Sequence, residues 1–114
     1  MLDELDKIDL LITLKDKPNV LCLGISDAIQ WEHHIDEHLY LLQEKLNNYV
    51  TYIMNEGYKK VEQFANNEYK EFIIKINLAN KPHEKFYRFF ENYKDWIVNN
   101  KFTIKIEFEI VEMK

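Results

Sequence analysis

The feature that most constrains this chain is the stretch WEHHIDEHLYLLQEKLNNYVTYI, Trp31 to Ile53. Ile35, Leu39, Leu42, Leu46, Tyr49 and Ile53 recur at alternating steps of four and three, which predicts one long amphipathic helix. A polar row of Asp36, Tyr40, Gln43 and Asn47 runs beside that stripe. Most of such a helix's stability in water comes from packing its apolar face. The chain therefore has to supply a surface for it, and strand patterns flank it on both sides.

Upstream, Lys7 to Lys15 alternates Ile8, Leu10, Ile12 and Leu14 against Asp9, Leu11 and Thr13, which predicts a strand. Asp16-Lys17-Pro18-Asn19 is turn chemistry, and Val20 to Ile25 reads as a second strand, so a hairpin is expected. Gly24 inside that strand marks a bulge or a close backbone approach. Ala28 to Glu32 reads as a turn or helical loop, with Trp31 as a packing anchor over the sheet edge. Downstream, Gly57 is the expected helix C-cap, and Tyr58 to Asn67 fits either a short helix or irregular chain. Tyr69 to Leu78 forms a strand with Phe72, Ile74, Ile76 and Leu78 on one face. A second helix over 83–99 follows, with Pro82 near its first turn and Phe86, Phe89, Tyr93 and Ile97 as its stripe. The last strand puts Phe102, Ile104, Ile106, Phe108 and Ile110 inward against Thr103, Lys105, Glu107 and Glu109.

The order β-β-α-β-α-β, with strictly alternating late strands, implies a sheet wet on one face. The expected fold is one α+β domain over 1–114: a two-layer sandwich, a mainly antiparallel four-stranded sheet with two principal helices on one face. At 114 residues, 46% of them apolar, the chain can hold a core without disulfide or metal staples. The lone Cys22 has no internal partner and reads as an inert core thiol. The opening LDELDKIDLL is too charged for a signal or membrane segment, so a cytoplasmic location is expected. The Lys, Asn and Ile content is that of a low-GC bacterium.

Charge is unevenly spread. From Ser26 to Glu44 there are five acids, Asp27, Glu32, Asp36, Glu37 and Glu44, and no Lys or Arg, while the whole chain carries −5. Acids near a helix N-terminus are favoured by the macrodipole, which accounts for Asp36 and Glu37 and poorly for Glu44. Nucleic-acid binding is excluded as an expectation, because it needs clustered cations. With two glycines in all, phosphate-cradling loops are also excluded.

At ISDAIQW and HLYLLQEKLNNYVTYI the chain resembles a family of small bacterial proteins of unknown function. The shared pattern falls on Ile25, Ser26, Asp27, Trp31, His38, Leu39, Leu42, Gln43, Lys45, Asn47 and Tyr49, and extends to Phe86-Tyr87. The chain departs from it around Tyr58 to Glu68 and at the doubled His33-His34. The resemblance implies the fold and no activity.

Two kinds of function fit. The first is a non-catalytic protein-binding module, for instance toxin-neutralising or regulatory, docking a basic protein through Asp27, Trp31, Glu32, Asp36, Glu37, Tyr40 and Glu44. Membrane and nucleic acid are not expected partners, and homo-oligomerisation stays open. The alternative is a small metal-dependent hydrolase or other enzyme centred on His34, His38 and Asp36. His34 and His38 share a helical face, but Ile35-Asp36-Glu37 between them does not reproduce H-E-x-x-H. Neither a metal nor a cofactor is expected. Asp27, His38, Gln43 and Asn47 read instead as a structural polar network holding the Ser26–Trp31 turn against the helix.

Overall fold

The long stripe forms α1 (Ile35–Met54), which buries Leu42, Leu46, Tyr49 and Ile53. In the computed structural model, which describes residues 8–14, 16–65, 68–100 and 102–111, it lies on a sheet of four strands. These are β1 (Leu10–Leu14), β2 (Lys17–Asp27), β3 (Glu71–Leu78) and β4 (Ile104–Ile110), in that spatial order, with α2 (Glu84–Asn99) between β3 and β4. The β-β-α-β-α-β order is the one expected.

The sheet is mixed rather than mainly antiparallel. β1 and β2 form an antiparallel hairpin, but β2, β3 and β4 run parallel. Alternation along a strand reports how many faces of the sheet are covered, and it carries no information on strand direction. Here β2-α1-β3 and β3-α2-β4 are crossovers stepping the same way across the sheet. Two such crossovers of one hand place both helices on one face and leave the other wet.

The inner face carries Leu21, Leu23 and Ile25 of β2, Phe72, Ile74, Ile76 and Leu78 of β3, and Ile104 and Ile106 of β4. Phe86, Phe90, Tyr93 and Ile97 of α2 join Leu42, Leu46 and Tyr49 of α1 over them.

β1 is the strand expected there, and it turns its smaller apolar set inward. Leu11 pairs with inward Leu23, whereas Leu10 and Ile12 pair with Gly24 and Cys22 and are 47% and 42% exposed on the outer face. The inward side also takes Asp9, whose carboxylate meets Lys45 of α1. A polar contact, rather than the larger apolar count, decides which way this strand faces. Cys22 accordingly lies half-buried on the outer face and not in the core.

Gly57 is not the left-handed cap. The positive φ falls on Glu56 (54°), and Gly57 opens a 3₁₀ turn, Gly57–Lys60. Glycine is needed there for space, since a Cβ would sit 2.5 Å from the Tyr52 ring. Pro82 is buried ahead of α2, whose N-cap is His83, its ring nitrogen accepting the Lys85 N–H.

Candidate functional site

Polar groups gather where β2 ends and α1 begins. Asp27, last in β2, points inward with Leu78 beside it in β3. Its Oδ1 accepts the Ile29 N–H at 3.0 Å, turning the chain after the strand. Its Oδ2 lies 2.6 Å from His38 Nε2, one turn into α1. A carboxylate acceptor assigns the proton to Nε2, which leaves Nδ1 as an acceptor in the neutral ring. Trp31 stacks on that ring at 3.6 Å between centroids and 19° between planes, and meets Phe86 of α2 edge-on. His38 Nδ1 and Trp31 Nε1 are buried with no hydrogen-bond partner among the described residues. Each such orphan costs roughly 1–3 kcal/mol, which the aromatic packing has to offset.

A second buried set ties β1 to α1. Lys45, with no exposed surface, donates to Asp9 Oδ1 at 3.0 Å, and Asp9 Oδ2 accepts the Ser26 N–H at 3.0 Å. Burial pushes the Asp9 carboxyl up, but the Ser26 N–H and the Lys45 ammonium are among the groups that outweigh it and hold it below its ordinary value. Tyr49 Oη donates to Gly24 O at 2.5 Å and accepts the Asp9 N–H at 2.8 Å. Burial drives the Tyr49 phenol far above its usual range, against the Asp9 N–H bond and with the Asp9 carboxylate, so it acts as a neutral hydroxyl.

The helical layer is open between α1 and α2. Gln43 and Asn47 of α1 and Phe89, Asn92, Tyr93 and Trp96 of α2 line a groove of about 420 Å³. Tyr93 Oη donates to Asn47 Oδ1 at 2.7 Å across it, and Asp36 meets Lys85 at 3.6 Å nearer the helix N-termini.

These positions redraw the expected site. Asp27 and Trp31 are buried, so neither belongs to a docking surface; the hydrogen bonds and stacking that hold the β2–α1 turn consume them. Glu32, Asp36, Glu37 and Tyr40 are exposed, and Glu44 is half-buried beside Tyr93. The expected network divides in two. Asp27 pairs with His38, whereas Gln43 and Asn47 face α2, because they lie on a different side of the helix. His34, His38 and Asp36 do not converge: His38 is 2% exposed and committed to Asp27, His34 is an exposed left-handed N-cap, and Asp36 faces Lys85. Among the described residues no group of three or more His, Cys, Asp or Glu is placed to hold a metal.

Lys45, Asp9 and the Tyr49 hydroxyl were not legible as a unit. The available signal was Lys45 itself, three residues after Leu42 and four before Tyr49, a cation within the core stripe. Such a residue needs a buried anion, and Asp9, just ahead of β1, supplies it. Cys22 remains a protonated thiol, raised by burial first and then by Glu107.

The span over which these contacts are spread coincides with a family match. The chain belongs to DUF6572, a family of unknown function. The DUF6572 match covers residues 1–110, and so takes in every element of the sandwich. No curated protein and no solved structure matches the chain. No helix among the described residues is long and apolar enough to cross a membrane.

Proposed function

We propose that this DUF6572 protein is a non-catalytic protein-binding module that docks a basic partner on the N-terminal half of α1, in a toxin-neutralising or other regulatory role. The observation that carries this reading is the solvent side of that half-helix. Asp36 and Glu37 stand exposed one turn before Tyr40, which is 60% exposed, with Glu32 exposed on the loop leading in, and Lys85 of α2 meets Asp36. Acids of this kind raise association rate and choose the partner's sign, while an exposed Tyr supplies contact area at small entropic cost. Of the groups able to do acid–base work, Asp27 and His38 are enclosed and paired with each other, Lys45 is enclosed and paired with Asp9, and Tyr49 is enclosed and donates to backbone. That favours binding over catalysis.

The test is association of the purified protein with the products of adjacent genes, followed at about 50 and 300 mM salt. Wild type is compared with an Asp36→Lys/Glu37→Lys variant and with Tyr40→Ala. A partner whose on-rate falls about tenfold with salt and with the charge reversal, and whose off-rate rises in Tyr40→Ala, supports the reading. Equal binding by wild type and both variants removes the acidic face from function.

A further inference from the structure

The two edges of the sheet are finished differently. β1 is short, and its pairing with β2 shifts register between Thr13 and Leu14, an irregularity of the kind that blunts an edge. β4 pairs with β3 without a break from Ile104 to Ile110 and carries no proline. Odd-numbered residues along it turn their amide groups toward β3: the Phe72 N–H donates to Thr103 O at 3.2 Å, and the Val111 N–H to Leu78 O at 2.7 Å. The N–H and C=O groups of Ile104, Ile106, Phe108 and Ile110 therefore point away from β3, and among the described residues no strand lies beyond them. Such a row is a template for one more extended chain.

α2 stands over this edge. Phe86, Phe90, Tyr93 and Ile97 are its buried side, and Phe89, Asn92 and Trp96 line the groove toward α1. On the opposite flank, past β4, Tyr87, Glu91, Lys94 and Val98 make one stripe at helical spacing, all four exposed. A hollow of about 400 Å³ lies under that stripe, bounded by Lys94 and Val98 of α2 and by Ile104 and Ile106 of β4.

Both patterns read the same in reverse. Against an antiparallel copy centred on Ile106, β4 sets Ile104 opposite Phe108 on the inner face, twice. On the outer face the same register sets Lys105, which also lies 2.9 Å from Glu71, opposite Glu107. The residues whose amides point outward are the ones that meet, so about six main-chain hydrogen bonds close. Against an antiparallel copy, the α2 stripe sets Tyr87 opposite Val98 and Glu91 opposite Lys94, centred between Asn92 and Tyr93. The two centres coincide. Phe108 meets Tyr87 and Phe90 at 5.9 and 4.9 Å between ring centroids, while Ile104 shares the hollow with Lys94 and Val98, so the middle of α2 lies over Ile106. A crossover helix lies over the gap between its two strands. One strand spacing between β4 and its copy then puts the two α2 axes about 10 Å apart, which is helix-packing distance.

We propose that β4 and α2 form the interface between two copies of this chain, related by a two-fold axis through Ile106 that joins the two sheets edge to edge. Self-complementarity selects the occupant: one axis satisfies strand and helix together, with apolar contacts and opposite charges in both layers. The shared edge is two layers deep, roughly 24 by 20 Å, or about 1,000 Å² over both copies, the lower end for a specific interface. α1 lies on the far side of α2 from the axis, so the proposal stands independently of any partner its acidic half takes.

Sedimentation equilibrium of the full chain from about 1 μM to 1 mM tests it. The mean mass is expected to rise from the 13.9 kDa of one chain to twice that. Glu91→Lys and Lys94→Glu each set like charges opposite one another, and each should raise the midpoint about tenfold in concentration. Their equimolar mixture should restore it, because the mixed pair has opposite charges again, and Glu37→Lys should leave it in place. Amide hydrogen exchange on unaltered protein locates the contact. The N–H groups of Ile104, Ile106 and Phe108 should exchange about tenfold more slowly at the high end of the range than at the low end, while those of β1 keep their rates. A single-chain mass throughout overturns the proposal and leaves the edge to an extended segment of another protein. So does a dimer whose β4 amides exchange equally at both ends of the range, one that both charge variants form as well as wild type, or one that they weaken without recovery on mixing.

Discussion

Replacing Tyr49 by Phe removes one oxygen atom and tests how β1 is held to α1. The ring is fully buried and stays so in the variant, so the cavity left is small. What disappears is the donor to Gly24 O at 2.5 Å and the acceptor for the Asp9 N–H at 2.8 Å. A buried polar group stripped of its partner costs about 1–3 kcal/mol, and Asp9 is only half-buried, which puts its share at the low end. The two together come to roughly 2–4 kcal/mol, a large part of the 5–15 or so by which a domain is stable. With a urea slope of about 2 kcal/mol/M, the midpoint should fall by roughly 1–2 M with the slope unchanged. Tyr52→Phe is the internal control: its ring is half-buried and its hydroxyl makes no hydrogen bond among the described residues, so a change under about 0.5 kcal/mol is expected. If Tyr49→Phe unfolds within about 0.5 kcal/mol of wild type, the hydroxyl is not what joins the hairpin to the helix.

Lys45→Met takes the buried ammonium away from the Asp9 carboxylate, which keeps its Ser26 N–H, and should cost about 3 kcal/mol at pH 7, with part recovered in Lys45→Met/Asp9→Asn. Because the folded protein holds the Asp9 carboxyl below its ordinary value, that contribution is complete above the unfolded pKa of about 3.9 and is lost as pH falls through the folded value. The variant's stability should therefore vary less with pH below about 4 than wild type's, measured by urea titrations from pH 7 to 2.5. His38→Ala removes the partner of Asp27 and the ring under Trp31, and should cost about 3–5 kcal/mol. In a Trp96→Phe background it should also shift Trp31 emission to the red; an unshifted spectrum contradicts the stacking. Zn²⁺ or Ni²⁺ should raise the melting temperature little and bind no tighter than micromolar. Submicromolar binding abolished by His34→Ala or His38→Ala would promote the metal-dependent alternative.

Much of this fold was legible in the sequence because helical and strand periods are local. The step pattern from Ile35 to Ile53 located α1, and period-two alternation located β3 and β4 and the faces they bury. Alternation said that one sheet face is wet, and order along the chain gave β-β-α-β-α-β. Strand direction was not local information: it follows from where a crossover returns the chain, which is why the sheet is mixed. The phase of β1 was decided by an ion pair 36 residues apart in sequence, Asp9 with Lys45, and no windowed pattern can weigh that. The same holds for Asp27 and Trp31. In sequence they stand among acids and loop residues, as a surface would. In space the turn after β2 folds under α1, where Asp27 meets His38 and Trp31 stacks on the His38 ring, because a buried histidine and carboxylate are tolerable only when each satisfies the other.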